Sequence, residues 1–355
     1  MSTGRTGAQV LMVHGWLGLA ALLVLSGCVT RTEFPTNLPP PGESGRPTDT
    51  TYVVVNPTWT EAGGRTFNRP RGVLFGYDRS VYICDTENDR VVHVSIAGEF
   101  IEEYPVPHPV QMTQDRQLNL VCVDGEGTVY RRRHFGEGEF DTAFYRDSLN
   151  TFVIRQRQQG DSVIVETLLV RIPTGLVGIA ASPLPDRCYY VVDSTRSTLS
   201  LLDVNDHGLA GDLLRAFARR PANDPVGIMT YPTGETSYNI VLAQWGPQTS
   251  LRIVRSGTFE DVRLETADIY EMLPVGPKQV ALDEDGNFLV VAALDDEVYR
   301  FTRHGRFDFR FGETGAGPGQ FSRPDGIAYG EKTLYIADTG NDRIVRLRLS
   351  TDLQY

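Results

Sequence analysis

The sequence predicts an all-β fold, and three observations carry that expectation. Turn-forming residues are abundant, with 35 Gly and 21 Pro among 355 residues. Aromatic strand-formers are plentiful, 15 Tyr and 16 Phe, whereas Met is scarce at 5. Short β-branched and aromatic runs bounded by Gly, Asp or Asn recur along the chain, as strands joined by tight turns require. The balance of 34 Lys+Arg against 45 Asp+Glu gives a formal net charge of −11. Such a chain has no electrostatic reason to bind DNA, RNA or anionic lipid. At 41% hydrophobic and 22% charged, its composition is globular.

The chain begins with an address. Arg5 is the only charged residue before an apolar run, Leu17 to Leu25, that ends in Leu25-Ser26-Gly27-Cys28. A positive start, an apolar core and small residues before a cut mark a secretory signal over residues 1–27. Leu-Ser-Gly-Cys resembles the bacterial lipobox, which implies diacylation of Cys28 and stable anchoring in a membrane. Val29, rather than Asp, follows the cysteine; by resemblance to sorting in two-membrane bacteria this implies the outer membrane, with the face unassigned. Residues 28–51, with Pro35, Pro39-Pro40-Pro41 and Pro47, carry too little apolar surface to fold and read as a semi-stiff tether.

Residues 52–355 contain a repeat. Arg69-Pro70-Arg71-Gly72-Val73 leads to Val81-Tyr82-Ile83-Cys84-Asp85-Thr86-Glu87-Asn88-Asp89-Arg90, and Arg323-Pro324-Asp325-Gly326-Ile327 leads to Leu334-Tyr335-Ile336-Ala337-Asp338-Thr339-Gly340-Asn341-Asp342-Arg343. Weaker copies start near Val110, Val177, Val226 and Lys278. Anchors at 72, 111, 178, 227, 279 and 326 are separated by 39, 67, 49, 52 and 47 residues. Six units averaging about fifty residues predict a six-bladed β-propeller of four-stranded blades.

Each element follows from this spacing. Blade strands packed on both faces read as near-continuous apolar runs, as these do. The Asp-Thr-x-Asn-x-Arg piece joins two antiparallel strands. Its Asp can accept from turn N–H groups, its Asn tolerates positive φ, and its Arg can return to the carboxylate. Asp85, Asn88 and Arg90, with Asp338, Asn341 and Arg343, are therefore read as structural turn residues. The last unit shows only three strands, and Tyr52–Asn56 is expected to supply the fourth and close the ring. Pro-x-Gly-hydrophobic, followed by hydrophobic-Tyr-hydrophobic-x-Asp-Thr-x-Asn-x-Arg, resembles the NHL-repeat family of six-bladed β-propellers. The resemblance covers residues 52 to 349, strongly in the first and last units and only in the hydrophobic skeleton of the third to fifth.

Chemistry is harder to find. Cys84, Cys122 and Cys188 fall in or beside second strands of different units and are expected to be buried free thiols, too far apart to pair. Asp283-Glu284-Asp285-Gly286-Asn287 opens like a calcium loop, but Leu294 stands where its last carboxylate belongs, so it reads as a tight turn. No two His of the mature chain have metal-ligand spacing, and Gly-x-Ser-x-Gly, Cys-x-x-Cys and phosphate-binding loops are absent. No catalytic residue, metal or cofactor is assigned from the sequence.

Two interruptions of the repeat are the candidate contact regions. An insertion near 134–172 holds a predicted hairpin, Thr151–Arg157 with Ser162–Val170, and Arg131-Arg132-Arg133 precede it. At Trp245 the Asp-Thr-x-Asn turn is replaced, which puts an aromatic on a loop leading to a propeller face. The sequence thus favours a non-enzymatic lipoprotein of the cell envelope that binds a protein partner. Two alternatives stay open: a channel-mouth lyase or hydrolase similar to the streptogramin-lyase or amidating-lyase propellers, and a small-molecule or glycan receptor.

Overall fold

Apolar runs such as Val81-Tyr82-Ile83-Cys84 and Leu334-Tyr335-Ile336-Ala337 are buried on both faces, and in the computed structural model each is the middle of an antiparallel sheet. The structure describes residues 51–125, 127–132, 141–142, 145–147, 150–159, 162–170, 175–186, 188–194, 197–203, 214–215, 224–245, 251–272 and 276–353. The leader, Cys28, the tether and Arg133 lie outside these residues.

Described strands form a β-propeller. The first sheet runs Pro70–Phe75, Val81–Asp85, Arg90–Val94 and Phe100–Pro105, in that order from the innermost strand outwards. The second runs Gln111–Gln114, Leu120–Val123, Val129–Arg132 and Asp141–Thr142. The third runs Leu176–Ala181, Cys188–Asp193, Thr198–Asp203 and Leu214–Arg215. The fourth has three strands, Pro225–Pro232, Tyr238–Gln244 and Leu251–Arg255. The fifth again has four, Pro277–Leu282, Phe288–Ala292, Glu297–Phe301 and Phe307–Phe311. The last comprises Ile327–Gly330, Thr333–Asp338 and Arg343–Leu349, with Tyr52–Val54 on its outer edge in the register Tyr52↔Leu349, Val53↔Arg348 and Val54↔Leu347. A separate three-stranded sheet holds Tyr145–Asp147 and the long hairpin Asn150–Gln159 with Ser162–Val170.

The four-strand pattern is therefore met in five sheets, and the fourth sheet departs from it. After Arg255 the chain turns at Gly257 and pairs its backbone with the third strand again through an isolated bridge, Val254↔Asp261, rather than through a fourth strand. It then enters the short helix Asp268–Glu271, whose Ile269 and Tyr270 fill the space a fourth strand would occupy.

Innermost strands adjoin in chain order, and Ile327–Gly330 returns beside Pro70–Phe75. Each seam between neighbouring sheets has its own apolar cluster. Met112 and Leu120 meet Tyr82 and Val91 at one seam, and Ala328 and Tyr335 meet Val73 and Ile83 at another. The glycines of the Pro-x-Gly anchors are needed at these seams. A Cβ on Gly227 would lie 1.9 Å from Lys278 O, and one on Gly326 would lie 2.2 Å from Arg71 O.

Two expectations need correction here. Cys84 and Cys122 are buried free thiols, as expected, but they share one apolar cluster rather than lying far apart, because second strands of neighbouring sheets face one another across a seam. Burial raises the Cys122 thiol well above its ordinary value. Cys188, at the start of its strand, is only half-buried rather than buried.

Candidate functional site

A residue with positive φ precedes every innermost strand of the six sheets: Arg69 (49°), His108 (40°), Gly175 (87°), Asp224 (40°), Gly276 (68°) and Arg323 (46°). These residues turn the chain into the ring and define its upper rim. Adjacent sheets are tied there. Asp89 Oδ1 accepts from His108 N at 2.9 Å, Asp296 Oδ1 from Arg323 N at 2.7 Å, and Asp342 Oδ1 from Arg69 N at 2.7 Å. Thr86 Oγ1 donates to Pro109 O at 2.8 Å, and Thr339 Oγ1 to Pro70 O at 2.7 Å, also from one sheet to the next.

The turn motif stands on the same rim. Asp85 accepts from Asn68 N (2.8 Å), Asn88 Nδ2 (2.8 Å) and Arg90 Nε (2.7 Å). Asp338 repeats the pattern with Ser322 N (2.7 Å), Asn341 Nδ2 (2.8 Å) and Arg343 Nε (2.7 Å). Burial pushes the Asp338 carboxyl above its ordinary value against these donors. The left-handed residue of the turn is not the Asn, as expected from the sequence, but the next one, Asp89 (53°) or Asp342 (52°). Asn88 and Asn341 close short 3₁₀ turns and use their amides on the Asp carboxylate.

A register shift near the start of four innermost strands, at Pro70/Val73, Leu176/Gly178, Pro225/Gly227 and Pro277/Val280, lies at the upper mouth of the channel. The middle residues of the anchors line that mouth: Arg71, Val110, Val177, Val226, Lys278 and Asp325. Three consecutive positions are apolar and the next three are charged, so the mouth has an apolar half and an ionic half. Arg71 Nε donates to Asp325 Oδ2 at 2.8 Å. Asp325 raises the Arg71 guanidinium above its usual value. Burial opposes the Asp325 charge, but Arg71, Lys278 and Arg69 together hold the carboxyl below the usual range.

Trp245 borders the ionic half. It is 43% exposed, its Nε1 donates to Pro277 O at 2.8 Å, and the Lys278 ammonium lies 5.2 Å from its ring centre. Leu294, 62% exposed, lies against Gly276 next to the same strand. The bond to Pro277 O and the ammonium of Lys278 hold the indole in one orientation, with a cation above it.

Towards the lower rim the channel widens to a cavity of about 360 Å³. Amides and hydroxyls from Gln111, Thr113, Gln114, Thr230 and Gln279 line it, with Tyr77, Tyr231 and Tyr329 among its aromatic residues.

The arginines singled out from the sequence do not join Trp245. Arg131 and Arg132 belong to the third strand of the second sheet, and Arg132 packs over the Tyr104 ring at 4.4 Å. Asp283 spends its carboxylate on Asp285 N, Asn287 and Arg300. Among the described residues no group of three His, Cys, Asp or Glu is placed to hold a metal ion. Sequence reasoning missed Lys278 and the Arg71–Asp325 pair as site residues. Their signal was the charged middle residue of Pro-x-Gly and its degenerate copy Pro277-Lys278-Gln279.

No family model matches the chain, and no curated protein matches it in sequence. Solved structures match by fold. Virginiamycin B lyase from Staphylococcus aureus is similar with a TM-score of 0.54 at 13% identity, over 84% of this chain and 100% of that one. An auxiliary nutrient binding protein from Bacteroides ovatus gives 0.56 at 14% identity, over 85% and 77%. A gluconolactonase from Xanthomonas campestris gives 0.55 at 13% identity, over 85% and 90%. These likenesses establish the all-β propeller fold. At such identities they establish nothing about activity.

Proposed function

We propose that this chain is a lipid-anchored protein of the cell envelope whose propeller binds a protein partner through its upper mouth. The observation that carries the reading is Trp245, fixed by its bond to Pro277, capped by Lys278 and standing beside a half-apolar, half-ionic ring of anchor residues. Rigid aromatic anchors next to a cation are what hot spots at protein interfaces are made of. In this reading the propeller is a six-bladed ring of NHL-like repeats, with the three-stranded sheet as one blade and Tyr52–Val54 as the closing strand. The apolar cluster at every seam supports that count. Tyr52 pairs with Leu349, the far end of a strand that starts at the upper rim, so the chain joins the ring from the lower side. The anchor of this reading is Cys28, in the outer membrane by the residue that follows it. The hairpin Asn150–Gln159 with Ser162–Val170 is a second candidate contact.

The test is affinity capture of the full chain from detergent-solubilised native membranes. Trp245→Ala and Lys278→Ala should each lower recovery of a stoichiometric partner at least ~10-fold, since a hot-spot truncation costs about 2 kcal/mol or more. Tyr77→Ala, on the lower rim, should leave recovery intact. Equal recovery with all three variants contradicts the reading.

A second reading, a small-molecule or glycan receptor, is favoured by the channel cavity, whose volume of about 360 Å³ lies within the range of small-ligand sites. Saturable binding that Gln114→Ala weakens and Trp245→Ala spares would support it.

A further inference from the structure

A second cavity lies at the outer part of the fourth sheet, away from the channel. Gln244 ends the second strand there, opposite Pro225, as Asp85 stands opposite Pro70 and Asp193 opposite Leu176. An amide therefore replaces the recurring carboxylate. Asp85 is bonded by three donors, whereas neither Oε1 nor Nε2 of Gln244 has a hydrogen-bond partner among the described residues. Gln244 is only 1% exposed. Buried polar atoms almost always have partners, and leaving both ends of one amide unmade costs the full desolvation of each.

The amide lines a cavity of about 150 Å³ that Leu251, Ile253 and Tyr270 wall with apolar surface. At about 30 Å³ of liquid volume per water, that space is comparable to some five waters or one amino-acid-sized molecule. Three charged side chains complete the lining: Arg252, Asp261 and Arg263. Arg252 Nε is committed to Asp261 Oδ1 at 2.6 Å. Arg263 lies over the Tyr270 ring at 5.3 Å and forms no ion pair among the described residues, which leaves one net positive charge.

We propose that this cavity binds a small molecule carrying both a carboxamide and a carboxylate, of the size of free glutamine or asparagine. The complement of an unpaired amide is a group that donates and accepts side by side, which a carboxamide does. The complement of the unpaired guanidinium of Arg263 is a carboxylate. The order of contacts follows from burial, with the amide bound deep against Gln244 and the carboxylate at the exposed Arg263.

Isothermal titration of the full chain with glutamine and with asparagine tests the assignment. At least one should bind saturably below ~10 mM, and norvaline, which lacks the amide, should bind at least ~10-fold more weakly. Glutamine capped as its N-acetyl N-methylamide lacks the carboxylate and should lose a similar factor. Gln244→Leu should abolish the preference for glutamine over norvaline, and Arg263→Ala the preference for free over capped glutamine. Gln244→Met, close to Gln in size but without the amide, serves as the second variant if the Leu variant folds poorly, and it should also lose the amide preference. Absence of saturable binding, or unchanged selectivity in Gln244→Leu, overturns the proposal. A Gln244→Leu chain that is merely more stable and shows no change in ligand selectivity would assign the cavity to bound water, which also overturns it.

Discussion

Deleting residues 29–49 removes no described strand, whereas deleting 29–58 removes Tyr52–Val54 from the outer edge of the last sheet. The loss can be sized from the contacts. Tyr52 is 6% exposed and packs 4.7 Å from Phe311 and 6.2 Å from Phe309, measured between ring centres. Uncovering such a side chain costs about 1.5–3 kcal/mol, and Leu347 and Leu349 lose part of their cover with it. The strand's ladder bonds and the bond from Arg346 Nη2 to Pro57 O (2.8 Å) also disappear, at about 1 kcal/mol each. A total of roughly 4–7 kcal/mol rivals the whole stability of an ordinary domain. Urea unfolding followed by tryptophan fluorescence should therefore give the 29–49 deletion the midpoint of the full chain. The 29–58 deletion should unfold at far lower urea, or aggregate through its bared edge. Equal midpoints and solubility for the two deletions would refute the closing role of Tyr52–Val54.

Asp338→Ala should lower stability by about 3 kcal/mol at unchanged urea m-value, because Ser322 N, Asn341 and Arg343 lose one fully buried acceptor. Asp338→Asn should also destabilise, since its NH2 would face a donor at whichever oxygen it replaces; a change below ~0.5 kcal/mol for Ala would contradict the turn's structural role. Burial holds the His93 imidazole below its ordinary value, so the fold favours its neutral form. The unfolded chain then takes up the proton first, and stability should decline as pH falls from about 6.5 through the folded value; His93→Gln should flatten that slope, and an unchanged slope would remove His93 as its source. Cys28→Ser should give a chain that no longer partitions into the detergent phase of Triton X-114, and unchanged partitioning would exclude the lipid anchor.

Much of the propeller was legible because its determinants are local. Pro-x-Gly marks a close approach of neighbouring strands, and the runs around Ile83 and Ile336 are apolar on both faces, so strand and turn alternate visibly. The pairing of Asp85 with Arg90 lies within five residues and is likewise readable from one unit. What crosses a seam was not. Asp89 looks like a filler between Asn88 and Arg90 until the next sheet brings His108 N to its carboxylate. Cys84 and Cys122 are 38 positions apart, and only the facing of adjacent second strands brings them into one cluster. The missing strand of the fourth sheet was hidden because Arg252 to Val262 keeps strand-like composition while Gly257 turns it away. At the candidate site, Trp245 stood out as a break in the repeat. Lys278 did not, because its meaning comes from the indole beneath it and from Arg71 and Asp325 across the mouth.

The central claim is that the upper mouth is the contact face, and site-specific photocrosslinking tests it most directly. A photoreactive phenylalanine analogue is placed at Leu294, which lies against Gly276 at the upper rim, or at Tyr77 on the lower rim, and full-length chains are irradiated in intact cells. Both positions are exposed, so neither is expected to disturb the core. The account predicts one discrete adduct from position 294, lost when Lys278→Ala is added, and none of that mass from position 77. The same adduct from both positions, or from position 77 alone, would contradict it.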